Sequence, residues 1–168
     1  MSRITMLGNP FNTNSILPKV GSQAPDFKLT KGDLSGVSLK DFAGKKLVLN
    51  IYPSIDTEVC SNSVRKFNVE AASLPNTMVV GVSKDLPFAL KRFCAAEGVD
   101  KVTSTSSMHD DSFESKYGVR ITDGFLAGLM ARAVVVIDEK GTVVYTQLLG
   151  ELAEEPDYAA AIEAVKAA

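Results

Sequence analysis

Apolar residues fall along the chain in two patterns, short continuous runs and stripes at helical spacing. Leu47-Val48-Leu49-Asn50-Ile51-Tyr52 is a run of strand formers that stops at Pro53, the pattern of a strand covered on both faces. From Cys60 onward Val64, Phe67, Ala71 and Ala72 recur at helical spacing while Arg65, Lys66 and Glu70 lie off the stripe, which predicts an amphipathic helix. Met78 to Val82 predicts the next buried strand, and Pro87 to Glu97 the next helix. Pro87 falls in its first turn, where a missing amide donor costs nothing. Strand, helix, strand, helix implies parallel strands joined by right-handed crossovers. Val102 to Thr105 adds a short strand, and Asp111 to Tyr117 a short helix.

Toward both ends the pattern becomes antiparallel. Ile4 to Leu7 and Phe11 to Ser15 flank Gly8-Asn9-Pro10 as a short hairpin. Phe27 to Thr30 and Val37 to Leu39 alternate around Gly32, Asp33 and Gly36 as a second. Ala133 to Asp138 and Thr142 to Leu148 face each other across a Glu139-Lys140-Gly141 turn, and Asp157 to Lys166 closes the chain as a helix with Tyr158, Ala161, Ile162 and Val165 on one stripe. No repeat or linker interrupts the 168 residues, so one α/β domain over residues 1–168 is expected.

Composition narrows the chemistry. A net charge of -2 offers no footprint for nucleic acid. The longest apolar run, Ala131 to Ile137, is broken by Arg132 and falls far short of the roughly 20 residues that cross a bilayer. The first residues lack a continuous apolar stretch, which makes a cytoplasmic location the expectation. Cys60 and Cys94, with His109 as the sole histidine, cannot build an all-Cys/His zinc site, and no metal or cofactor is expected. The cysteine pair is then either buried and inert or catalytic and redox-active.

The segment Pro53 to Cys60, PSIDTEVC, puts a thiol where a buried strand gives way to a helix. A helix start presents unpaired N–H groups and a partial positive charge, both of which favour thiolate over thiol. A free cysteine is only about 3% ionised at pH 7, so the placement suits a nucleophile. Thr57, three residues before Cys60, supplies a hydroxyl that can orient the sulfur and contact an oxygen, and Pro53 can shield one side.

Pro53-x-x-x-Thr57-x-x-Cys60 resembles the peroxiredoxin active-site pattern. PSIDTEVC with SVRKFN, RFC with AEGV, and ARAVVVIDEKG are similar to the bacterial thiol peroxidase branch, over nearly the whole chain. The order of elements resembles the thioredoxin-like fold with N-terminal β-hairpin additions, and T-x-x-C stands where thioredoxin has C-x-x-C. The resemblance implies Cys60 as the peroxidatic cysteine and Cys94 as the resolving cysteine of an intrachain disulfide. It brings Arg132 to the sulfur as a permanent cation, with Pro53 and Thr57 completing the site. It also implies hydrogen peroxide and organic hydroperoxides as substrates, thioredoxin as reductant, and a homodimer. Because both cysteines fall in predicted helices and bridged Cα atoms must lie within about 7 Å, local unwinding is expected to accompany disulfide formation. Glu58 departs from the glycine or proline common in the family; with Asp56 it sets a second carboxylate by the helix start, which disfavours a thiolate if close and unpaired.

Other readings stay open on the residues alone. Leu86, Leu90 and Cys94 share a stripe that favours core packing. Arg132 could serve a structural ion pair, and Thr57 a helix cap. His109 reads as a solvated loop residue without a role. Asp123 to Leu129 reads as a substrate collar, a dimer surface or core. Against an enzyme stands a non-enzymatic redox-sensing or binding module; a protein thiol-disulfide oxidoreductase is disfavoured by the missing first cysteine of C-x-x-C.

Overall fold

The computed structural model describes residues 1–71 and 73–168, with Ala71 described in its backbone alone, so Ala72 and the Ala71 side chain of the expected stripe lie outside the described residues. A two-stranded antiparallel hairpin, β1 (Arg3–Met6) and β2 (Asn9–Asn12), stands apart from a seven-stranded sheet. The sheet contains β3 (Lys28–Lys31), β4 (Gly36–Ser38), β5 (Lys46–Ile51), β6 (Thr77–Ser83), β7 (Val102–Ser106), β8 (Ala133–Ile137) and β9 (Val143–Leu148), in the order β4-β3-β7-β6-β5-β8-β9. The helices are α1 (Glu58–Ala71), α2 (Pro87–Glu97), α3 (Ser112–Tyr117) and α4 (Tyr158–Ala167). Strands β5, β6 and β7 are parallel, and β8 and β9 continue the sheet antiparallel, which is the thioredoxin-like arrangement the sequence predicts. The β3–β4 hairpin does more than decorate it: Thr30 pairs with Ser106 and Lys31 with Thr105, so the hairpin extends the sheet beyond β7.

Alternation along each central strand sorts side chains between two cores. Leu47, Leu49 and Ile51 join Ala133, Val135 and Ile137 on one face, under Phe113 and Tyr117 of α3. Val48 and Tyr52 join Val134 and Val136 on the other, under Val64 and Phe67 of α1, Leu90 of α2, and Ala161, Ile162 and Val165 of α4. Each fully buried aliphatic or aromatic side chain contributes about 1.5–3 kcal/mol, so these apolar runs dominate the placement of the helices. Asn50 breaks the run on the α1 face. Its Nδ2 donates to Ser63 Oγ at 3.2 Å, and Ser63 Oγ donates to the Cys60 carbonyl at 2.8 Å. A buried polar pair of this kind tolerates little change of geometry, so it fixes how α1 is rotated over the sheet.

A third, smaller core of Ile4, Phe11, Ile121, Ala131 and Leu152 ties the N-terminal hairpin to the far end of the chain. Thr5 N–H donates to Gly150 O at 2.7 Å and Leu152 N–H to Thr5 O at 2.8 Å. Glu151 closes the junction: its carboxylate accepts from Thr5 Oγ1 at 2.7 Å, Leu7 N at 2.9 Å and Ala153 N at 3.1 Å. The Thr5 hydroxyl first, then the Ala153 and Leu7 amides, hold the Glu151 carboxyl down to about 2, from an ordinary 4.5. A lowered carboxyl contributes stability above its ordinary value and loses it as pH falls through the folded one. Glu151→Gln is therefore expected to lower the melting temperature at pH 7, with the gap to the parent narrowing as pH falls from 4.5 toward about 2. Thermal melts across that range check it; a gap independent of pH would contradict the role given to the carboxylate.

Candidate active site

The parallel ladder between β5 and β6 runs one residue past Ile51, with Tyr52 N–H bonded to Val82 O at 3.1 Å. Pro53 has no donor, so pairing ends there and the chain turns toward α1. The turn is held by Asp85, in the link between β6 and α2. Its Oδ1 accepts from Ser54 Oγ at 2.8 Å, and its Oδ2 from Ile55 N at 2.7 Å and Ser83 Oγ at 2.6 Å. Sequence reasoning missed Asp85. The available signal was topological: Asp85 follows β6 as Pro53 follows β5, and sites in open α/β sheets gather beyond the carboxyl ends of adjacent parallel strands.

Thr57 closes the turn. Its hydroxyl donates to Ser54 O at 3.0 Å, and its carbonyl accepts the first helical bond of α1, from Ser61 N at 2.9 Å. The hydroxyl is thus engaged with the backbone in this state and not with sulfur, while the backbone of Thr57 serves the helix start. The amides of Glu58, Val59 and Cys60 precede that first bond and belong to the unpaired set at a helix N-terminus. Cys60 lies in this first turn with no solvent exposure.

Arg132 enters from the residue before β8 and is 2% exposed. Its Nη2 donates to Cys60 Sγ at 3.1 Å and its Nε to Leu152 O at 3.0 Å, while Nη1 is buried without a partner among the described residues. The structure thus brings the guanidinium to the sulfur, and among the described residues no carboxylate pairs with it. Pro53 is buried beside them. Above this group opens a cavity of about 260 Å³, walled by Pro53, Thr57, Val59, Leu126, Leu129 and Arg132 among others. Leu126 and Leu129 belong to the apolar loop after Asp123, whose remaining residues are exposed, with Phe125 at 74%. That loop therefore walls the cavity, while Leu126 and Leu129 also pack against the small core of Ile4, Phe11 and Leu152.

The carboxylates near the helix start point outward. Asp56 faces Arg92 at 3.9 Å with both side chains well exposed, and Glu58 is exposed on the cavity wall. Cys94 lies in the last turns of α2, half-buried, packed against the same cluster that contains Cys60 and Tyr52. Its Sγ is 3.3 Å from Ser104 Oγ on β7, and both cysteines are free thiols. His109 is exposed. Among the described residues, no three His, Cys, Asp or Glu side chains converge as metal ligands, and no helix is long and apolar enough to cross a membrane.

Residues 19–162 match the Redoxin family. The thiol peroxidases of Mycobacterium bovis and Mycobacterium tuberculosis are each 54% identical over 167 residues, covering 99% of this chain and 100% of their own. A peroxiredoxin-like protein from Aquifex aeolicus superposes with a TM-score of 0.94 at 38% identity, over 99% of this chain and 97% of its own. A thiol peroxidase from Chromobacterium violaceum, at 20% identity, shares the fold with a TM-score of 0.91 over 98% of this chain and 95% of its own.

Replacing Asp85 with alanine removes the acceptor of the Ser54 hydroxyl and the Ile55 amide. The variant is expected to lose about 2 kcal/mol of stability and to exchange the Ile55 amide at least about tenfold faster. Hydrogen exchange resolved at that amide checks this; parent-like protection would show that other contacts hold the turn.

Proposed function

The chain belongs to the thiol peroxidase branch of the redoxin family, and from that membership we propose a thioredoxin-dependent reduction of hydroperoxides through a Cys60 sulfenic acid and a Cys60–Cys94 disulfide. The observation that carries the reading is the 3.1 Å contact between Arg132 Nη2 and Cys60 Sγ. A fixed cation beside sulfur stabilises the attacking thiolate, and the unpartnered Nη1 offers a further donor to an incoming oxygen.

The Cys60 thiolate attacks the terminal peroxide oxygen. The O–O bond breaks, an S–O bond forms, and the other oxygen leaves as alcohol or water after taking a proton. Charge grows on that leaving oxygen in the transition state, where guanidinium and helix-start amides are worth most. Thr57, whose hydroxyl rests on Ser54 O, lies on the cavity wall and can turn to donate to a bound peroxide. Since Cys60 has no exposure, a peroxide oxygen reaches the sulfur only as the cavity floor gives way slightly.

Substrate range follows from the cavity. Its volume of about 260 Å³ far exceeds the roughly 30 Å³ share of a water molecule, and Val59, Leu126 and Leu129 supply apolar contact. This suits an organic hydroperoxide as well as hydrogen peroxide. The reductant is a thioredoxin dithiol, which restores both thiols by exchange. The homodimer we expect would cover the exposed Phe125.

Peptide mapping after one equivalent of hydroperoxide tests the cycle. The expected product is a Cys60–Cys94 disulfide in each chain. Cys60→Ser should consume no peroxide, and Cys94→Ser should still form a sulfenic acid while losing thioredoxin-linked turnover. Two free thiols in the treated parent protein would refute the reading.

A further inference from the structure

Beneath α1 and α2 lies a polar group that none of the steps above uses. Tyr52 is fully buried, and its hydroxyl makes no hydrogen bond among the described residues. A buried unpaired hydroxyl is costly, and a phenylalanine ring would fill the same space without that cost. The polar neighbour of Tyr52, the Ser83 hydroxyl, is already committed to the Asp85 carboxylate at 2.6 Å, so the resting fold gains little from this oxygen.

Its position is specific. The phenol stands against Gly81, where a Cβ would lie 3.2 Å from Tyr52 Oη and 3.8 Å from Ser104 Cα. Gly81 is the direct partner of Ser104 across the β6–β7 ladder. Ser104 Oγ in turn lies 3.3 Å from Cys94 Sγ. The missing side chain at Gly81 thus makes room for a hydroxyl next to the seat of Cys94, and Tyr52 packs in one cluster with Cys60. Burial first, then the Asp85 carboxylate, and then the two cysteine sulfurs push the phenol's ionisation well above its ordinary value. It therefore remains a protonated donor at any working pH.

We propose that the Tyr52 hydroxyl donates a hydrogen bond to the Cys94 sulfur as that sulfur leaves Ser104 for Cys60, making Tyr52 a catalytic residue of disulfide formation; the inference rests on the two-cysteine cycle proposed above. In that step Cys94 gives up its proton and its sulfur attacks the sulfur of the Cys60 sulfenic acid. The S–S bond forms, the S–O bond breaks, and the departing hydroxide takes a proton and leaves as water. The oxidising equivalent was delivered by the peroxide one step earlier. The phenol is not consumed; it stabilises the anionic sulfur between the Ser104 hydroxyl it leaves and the Arg132 guanidinium it approaches.

Tyr52→Phe tests this, because it keeps the ring and deletes only the unpaired oxygen. The expected result is an unchanged melting temperature or a higher one, and a rate of Cys60 oxidation within about twofold of the parent. Disulfide formation measured by rapid quench should be slower by about tenfold, with Cys60 sulfinic acid accumulating at lower peroxide concentration. Disulfide formation at the parent rate would overturn the proposal, as would an equal slowing of both steps. Absence of any Cys60–Cys94 disulfide in the parent protein would overturn the underlying cycle itself, an outcome distinct from either.

Discussion

A guanidinium withdrawn from water must be satisfied by the groups around it, and the site is organised about that constraint. Burying a charge costs several kcal/mol unless its partners compensate. Among the described residues Arg132 has two partners, the Leu152 carbonyl and the Cys60 sulfur, and of these the sulfur is the one that can carry negative charge. The fold thereby sets one permanent cation directly against one sulfur. That arrangement suits the nucleophile we propose Cys60 to be, and it is held in place by contacts far from the sulfur.

Those contacts are distributed through the chain. Leu152 presents its carbonyl because its own amide is bonded to Thr5 and because Glu151 clasps the N-terminal hairpin beside it. The hairpin that looks like an addition to the fold thus helps hold the acceptor of Arg132. On the other side, Asp85 fixes the turn after β5, and Asn50 through Ser63 holds the carbonyl of Cys60. Sulfur and guanidinium meet at 3.1 Å because three separate polar devices restrain the elements that carry them. Core packing on the two faces of the sheet supplies most of the binding energy of those elements but does not by itself set so short a contact.

What could be read from the sequence divides along the same line. The central strands and α2 were legible because two-sided burial writes a continuous apolar run, and because Pro87 marks the first turn of one helix. Helix α1 begins at Glu58, ahead of the first apolar stripe residue, since its start is set by Thr57 backbone bonding and not by packing. The attachment of the β3–β4 hairpin to β7 left no local trace, for edge pairing depends on register with a strand some seventy residues away. Around Cys60, motif spacing made Pro53 and Thr57 legible, while Arg132 came to the sulfur only through the family resemblance, since no local pattern links residue 132 to residue 60. The Thr57 hydroxyl was expected at the sulfur and instead bonds Ser54 O. Asp85 and Tyr52 were illegible because a carboxylate after a strand and a tyrosine within an apolar run carry no pattern until the strands are adjacent.

The most direct measurement is the second-order rate constant for oxidation of Cys60 by hydroperoxide in a Cys94→Ser background, with and without Arg132→Gln. There a single chemical step is observed, and circular dichroism establishes that the variant is folded. The account predicts a loss of about 10²-fold or more on removing the guanidinium. A rate within a few-fold of the parent would contradict it, because the sulfur would then be reactive without the cation that the fold is built to hold against it.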